Sequence, residues 1–85
     1  MIRIFKYPIQ IVEYQEIYMQ EGLIRHVGLD PYGTPCIWAE VQDTSDMIWR
    51  IVNIRGTGHA ITGEEGNFIG TFVQDLDVWH VFSRL

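Results

Sequence analysis

The sequence predicts an all-β or nearly all-β fold, a small barrel or sandwich of about six to eight short strands. Three observations carry that expectation. Apolar and polar residues alternate with period two along most of the chain, and Gly, Pro and Asp clusters interrupt the alternation at short intervals. No stretch shows a convincing helical period. The length of 85 residues fits one compact domain spanning 1–85.

Ile2 and Ile4 alternate with Arg3 and Lys6 in a first strand stopped by Pro8, which has no N–H for a ladder. Ile9 to Tyr14 extends it after a break, and only Val12–Gln20 leaves room for a short helix. Glu16, Tyr18 and Gln20 alternate with Ile17 and Met19 as far as the Glu21-Gly22 turn. Leu23–Leu29 is the next strand, closed by the turn signal Asp30-Pro31-Tyr32-Gly33.

Thr34–Val41 places Cys36, Trp38 and Glu40 on one side and Ile37, Ala39 and Val41 on the other. Polar Gln42–Asp46 separates it from Met47–Arg55, and the two runs predict a hairpin with a five-residue loop. Ile48, Arg50, Val52 and Ile54 share one face of the second arm. Met47, Trp49, Ile51, Asn53 and Arg55 share the other. Neither face is wholly polar, so the sheet is expected to be covered on both sides, by a second layer or another subunit. Gly56-Thr57-Gly58 and Gly63-Glu64-Glu65-Gly66 are turns. Asn67–Gln74, with Phe68, Gly70 and Phe72 on one face, meets Val78–Leu85 through Asp75-Leu76-Asp77.

Composition narrows the function. The chain is 47% hydrophobic and 13% aromatic, too apolar for disorder. It has one cysteine and therefore no internal disulfide. A domain this small buries a thin core, so the expected staple is association into a dimer or tetramer or the binding of a ligand. Six Lys+Arg against eleven Asp+Glu give a net charge of −5, which disfavours long nucleic acid. No apolar run has bilayer length, and Met1–Lys6 does not read as a signal peptide. With a lone cysteine, these features make a cytoplasmic setting the expectation.

A small anion remains open if a few arginines share a cleft. Arg55 precedes Gly56-Thr57-Gly58-His59, where small residues expose backbone N–H groups in an anion-binding nest. Arg50 offers a second guanidinium from an apolar face, against the plainer role of covering that face with its stem. Trp49 offers a ring for a base to stack on. The expected ligand-binding set is Arg55, Thr57, Gly58, Arg50, Trp49 and His59. Arg50 and Arg55 point to opposite faces by the period-two rule, so a symmetric pocket would draw one arginine from each of two subunits.

Catalysis is the weaker expectation. His26, His59 and His80 lack zinc-motif spacing, and Cys36 reads as a buried thiol packed beside Trp38. The paired acids Asp43 and Asp46, Glu64 and Glu65, and Asp75 and Asp77 read as turn residues that solvate and cap backbone. No nucleophile–base combination stands out, and no metal or cofactor is expected.

Six segments resemble, in order, a family of small proteins encoded mainly by bacteriophages. They are Phe5-Lys6-Tyr7-Pro8, His26-Val27-Gly28, Pro35-Cys36-Ile37-Trp38-Ala39, Gly56-Thr57-Gly58-His59, Ile69-Gly70-Thr71-Phe72 and Trp79-His80-Val81-Phe82. A looser resemblance is to oligomeric phage sponge proteins that sequester cyclic nucleotide signals of antiphage defence, including the anti-CBASS kind. It rests on small size, the expected oligomer, surplus aromatics and a handful of arginines. That resemblance implies a non-enzymatic protein that binds a cyclic dinucleotide in the cytoplasm of an infected bacterial host. The alternative is an inhibitor of a host or defence protein that acts through an aromatic patch.

Overall fold

The alternating stretches become strands in the computed structural model, which describes residues 1–85. The exception is the expected extension of the first strand over Ile9 to Tyr14, which does not form; those residues run as a bend between the first and second strands. The strands are β1 (Ile2–Pro8), β2 (Gln15–Gln20), β3 (Gly22–Leu29), β4 (Pro35–Gln42), β5 (Met47–Gly56), β6 (Asn67–Gln74) and β7 (Asp77–Arg84). They form two antiparallel sheets, β1-β4-β3 and β2-β5-β7-β6, packed as a sandwich rather than a closed barrel. The room left for a helix at Val12–Gln20 is taken by a bend and by β2.

The expected hairpin of Thr34–Val41 with Met47–Arg55 does not form. β4 pairs with β1 and β3, whereas β5 pairs with β2 and β7 in the other sheet. The reason lies in the neighbouring strands. β2 runs into β3 through Glu21 alone, and the Glu21 N–H donates to the Asp46 carbonyl at 2.9 Å. At that same level β4 passes into β5. The β3–β4 ladder and the β2–β5 ladder are thus one long two-stranded ribbon folded over at its waist. Asp43–Asp46 forms the fold line rather than a hairpin loop.

The inward positions follow the alternation. Ile37, Val52, Ile54, Phe72 and Val81 form the main core with Ile9 and Val27, and Ile17, Ile24, Ile69 and Trp79 pack against it. Met19, Ala39 and Val41 form a second cluster near the fold line. Burying such side chains at about 25 cal/mol per Å² of apolar area is the main stabilising term. On the outer side of β4, Cys36 is fully buried, and burial pushes its thiol pKa up.

Polar turns fix the ends of these elements. Asp30 accepts hydrogen bonds from the N–H groups of Tyr32 and Thr34, both at 2.9 Å, and forms an ion pair with Lys6 at 2.9 Å. The Lys6 bond, followed by the Thr34 N–H, holds the Asp30 carboxyl below its usual pKa. Arg3 pairs with Asp43 in the same way at 2.9 Å. Both pairs tie the N-terminal strand to loops of its own chain.

Two glycines with positive φ separate strain from crowding. Gly33, at φ +82°, has open space around its missing Cβ. Gly66, at φ +103°, lies against the Ser83 carbonyl of β7, where a Cβ would collide with backbone. Gly33→Ala is expected to cost about 1–2 kcal/mol through the left-handed conformation alone. Gly66→Ala is expected to cost more, about 3 kcal/mol or above, because β7 cannot move aside. Urea denaturation of the two variants measures the difference, and equal losses would contradict this assignment.

Candidate functional site

The outer face of the four-stranded sheet carries the candidate site side chains. Across the β5–β7 ladder Arg55 faces His80 and Asn53 faces Phe82. β6 sets Thr71 beside His80 and Phe68 beside Phe82. Strand alternation, with a bulge between Phe68 and Gly70 on β6, brings all six onto one surface. The connection from Thr57 to Gly66 folds back across part of it.

Glu65 anchors that connection. It is 2% exposed, and its carboxylate accepts hydrogen bonds from the N–H groups of Thr62 and Gly63, both at 2.9 Å, and from the Thr62 hydroxyl at 3.1 Å. The Arg55 guanidinium pairs with it at 3.3 Å. Asn53 donates its side-chain amide to the Glu65 carbonyl at 2.9 Å. The Thr62 N–H leads the groups that lower the Glu65 pKa to about 2, against burial, which acts to raise it. Of the two roles expected of turn acids, Glu65 caps backbone but is buried rather than solvated, while Glu64 beside it is exposed. Arg55 also donates through Nη1 to the carbonyls of Glu13 at 2.7 Å and Ile54 at 3.1 Å. Its Nε makes no hydrogen bond within the protein.

The other end of the connection is a tight turn. His59 donates its N–H to the Gly56 carbonyl at 3.0 Å, and the Gly56 N–H donates to His59 Nδ1 at 3.3 Å. An N–H pointing at Nδ1 requires its lone pair, so the ring proton of neutral His59 sits on Nε2. The Thr57 hydroxyl lies 2.8 Å from His80 Nε2, and the Thr71 hydroxyl lies 3.0 Å from Nδ1. A hydroxyl both donates and accepts, so either tautomer of His80 is satisfied.

Between this turn and the β6–β7 hairpin lies a cleft of about 320 Å³. Arg55, Thr57, Gly58 and His59 line it together with Ile61, Phe68, His80 and Phe82. Phe68 and Phe82 meet edge to face, with centroids 5.7 Å apart. The volume is at the small end of ligand pockets, which run from about 300 to 1,000 Å³. It suits a single ring system and a polar substituent.

Four of the six residues expected to bind ligand thus converge, and two do not. Trp49 shares the outer face but stands six residues before Arg55, about 20 Å along the strand. There it pairs with Tyr18 at 4.9 Å, and it is 61% exposed. Arg50 faces inward with Val52 and Ile54, donates to the Ser83 hydroxyl at 3.2 Å, and leaves its buried Nε without a partner. Arg50 and Arg55 therefore do point to opposite faces.

His26 lies apart beside Trp38 on the other sheet, whereas His59 in the turn and His80 on β7 line the same cleft. No group of three His, Cys, Asp or Glu side chains is placed to hold a metal ion. No helix is long and apolar enough to cross a membrane. The sequence reading missed Phe68, His80, Phe82 and Glu65 as site residues. Counting back from the β6–β7 turn finds His80 opposite Thr71, but a bulge between Phe68 and Gly70 shifts the register. It turns Phe68 outward, away from the face of Phe72 to which simple alternation assigned it.

Fold and cleft together define a small antiparallel β-sandwich that presents a loop-covered aromatic cleft on one sheet. Residues 1–85 match the family described as a domain of unknown function (DUF7352), and the chain belongs to that family. No curated protein and no solved structure matches the chain.

The Glu65 anchor makes stability depend on pH. A carboxyl lowered from 4.5 to about 2 on folding contributes stability that is complete above 4.5. That contribution is lost as the pH falls toward about 2. Glu65→Gln is expected to lower stability at neutral pH and to flatten the pH dependence across that acidic window. Urea titrations between pH 2 and 7 compare the two proteins, and parallel curves would show that Glu65 is not the anchor.

Proposed function

We propose that the protein is a non-enzymatic, oligomeric binding protein that takes a small nucleotide signal, such as a cyclic dinucleotide, in the Phe68–Phe82 cleft. The observation that supports this reading is the meeting of two aromatic rings, a hydroxyl-and-imidazole pair and a guanidinium at one opening. Rings stack bases at about 1–3 kcal/mol each and do so for any base. The Thr57 hydroxyl, the Gly58 N–H and the Arg55 Nε supply donors for a phosphate, the flanking Thr57 and His59 N–H groups being held by the Val78 and Gly56 carbonyls. Glu65 offsets much of the Arg55 charge, so stacking outweighs charge in this account. One cleft holds one base, and a ligand with two bases spans the clefts of two subunits. The resemblance to phage sponge proteins supplies the biological role: sequestering a defence signal in the infected bacterial cytoplasm.

A second reading draws on a different observation. Trp49, Tyr18 and Met47 are exposed together on the same sheet, far from the cleft. An aromatic patch of this kind fits the surface of a host or defence protein that the chain would inhibit.

Calorimetric titration with a panel of cyclic mono- and dinucleotides tests the first reading. Phe68→Ala, an exposed position, is expected to weaken binding by about tenfold or more, and Trp49→Ala to leave it unchanged. If no nucleotide binds, while Trp49→Ala abolishes capture of a host protein from extract, the second reading replaces the first. Recovery of a degraded nucleotide would indicate an enzyme and defeat both.

A further inference from the structure

The sandwich has four edge strands: β1 and β3 in one sheet, β2 and β6 in the other. β3 and β6 each carry a bulge, and β2 is the shortest strand. Bulges and short length are devices that keep sheet edges from pairing with other chains. β1 has neither. It runs straight for seven residues against β4, and nearly all of it is exposed.

Hydrogen bonding at its two ends shows which way its backbone faces. The Ile9 N–H donates to Pro35, and the Met1 carbonyl accepts from Asp43. In an antiparallel ladder, alternate residues face the partner. The odd-numbered residues of β1 are therefore bonded to β4, and Ile2, Ile4 and Lys6 turn their N–H and C=O groups outward. The side chains of Ile2 and Ile4 are 57% and 61% exposed.

Charge normally protects such an edge. Here Arg3 is paired with Asp43 and Lys6 with Asp30, so both basic residues are neutralised within the chain. The edge is left apolar, unbulged and nearly uncharged.

We propose that β1 is the self-association edge of this protein, pairing antiparallel with β1 of a second copy about a two-fold axis through Ile4. Only outward-facing residues can bond across the new ladder, so even-numbered residues must pair with even-numbered ones. Centring on Ile4 pairs Ile2 with Lys6, Ile4 with Ile4, and Arg3 with Phe5. All three outward residues are used, the isoleucines form an apolar row, and each arginine lies beside a phenyl ring. Centring on Arg3 opposes two arginines. Centring on Phe5 brings in Pro8, which has no N–H. The result is a continuous six-stranded sheet, β3-β4-β1 followed by its symmetry mate. The Phe68–Phe82 cleft belongs to the other sheet and takes a single base without a partner subunit, so loss of this dimer and loss of mononucleotide binding are separate observations.

Sedimentation velocity with amide hydrogen exchange tests the proposal. Wild type is expected at twice the 9.9 kDa chain mass. The amides of Ile2, Ile4 and Lys6 should gain protection as concentration rises. Ile4→Lys opposes two ammonium groups at the axis and is expected to weaken the dimer by about tenfold or more. Its circular dichroism should stay unchanged, because the side chain is solvent-facing. A wild type that stays at the chain mass overturns the proposal. So does a dimer in which those three amides remain unprotected, a result that needs no variant and holds even if Ile4→Lys misfolds. A folded Ile4→Lys protein that retains wild-type association overturns it equally.

Discussion

Two neighbouring strands bend at the same level, and both layers of the sandwich follow from that bend. β2 passes into β3 through a single residue, and β4 passes into β5 through four. Glu21 and Asp46 close the corner with a backbone hydrogen bond, and the Gln20 amide lies 3.3–3.4 Å from the carbonyls of Gln42, Asp43 and Ser45. Folding one ribbon onto itself gives each half a partner layer at once, so Met19, Ala39 and Val41 are covered beside the crease. β1 then adds to one half and β7 with β6 to the other. The small core need only fill the space between two halves of a ribbon that the corner already holds together.

The cleft depends on a second constraint, the burial of Glu65. A carboxylate out of water is costly unless its lone pairs are met. Thr62, Gly63 and Arg55 meet them, and the same contacts pull the Thr57–Gly66 connection onto the sheet. Arg55 thereby acts as a strut between that connection and the Glu13 segment as well as a wall of the cleft. Removing its guanidinium would disturb shape and charge together, which is why an aromatic wall residue such as Phe68 separates binding from folding more cleanly.

Strand content was legible because period two is a local property. The inward rows of β4 and β5, and the opposite directions of Arg50 and Arg55, follow from alternation alone. Strand partners were not legible. The polar run Gln42–Asp46 is equally suited to a hairpin loop and to a crease, and the choice is made by β2 and β3, which are distant in sequence. The site was legible in part for the same reason. Arg55, Thr57, Gly58 and His59 fall within five consecutive residues and stay together in any fold. Phe68 reaches them through a bulge, and Glu65 through burial that its glycine-flanked acidic context conceals.

Cys36 lies opposite Pro8 on one neighbouring strand and Gly28 on the other. It is sealed from solvent and is the single thiol of the chain. A reagent in water meets it only during moments when the β1–β4–β3 layer breathes at that level, since a buried, protonated sulfur is otherwise inert. The rate at which this one sulfur is consumed is therefore a clock. It counts the transient openings of a layer whose neighbouring tryptophan, Trp38, reports only its average state.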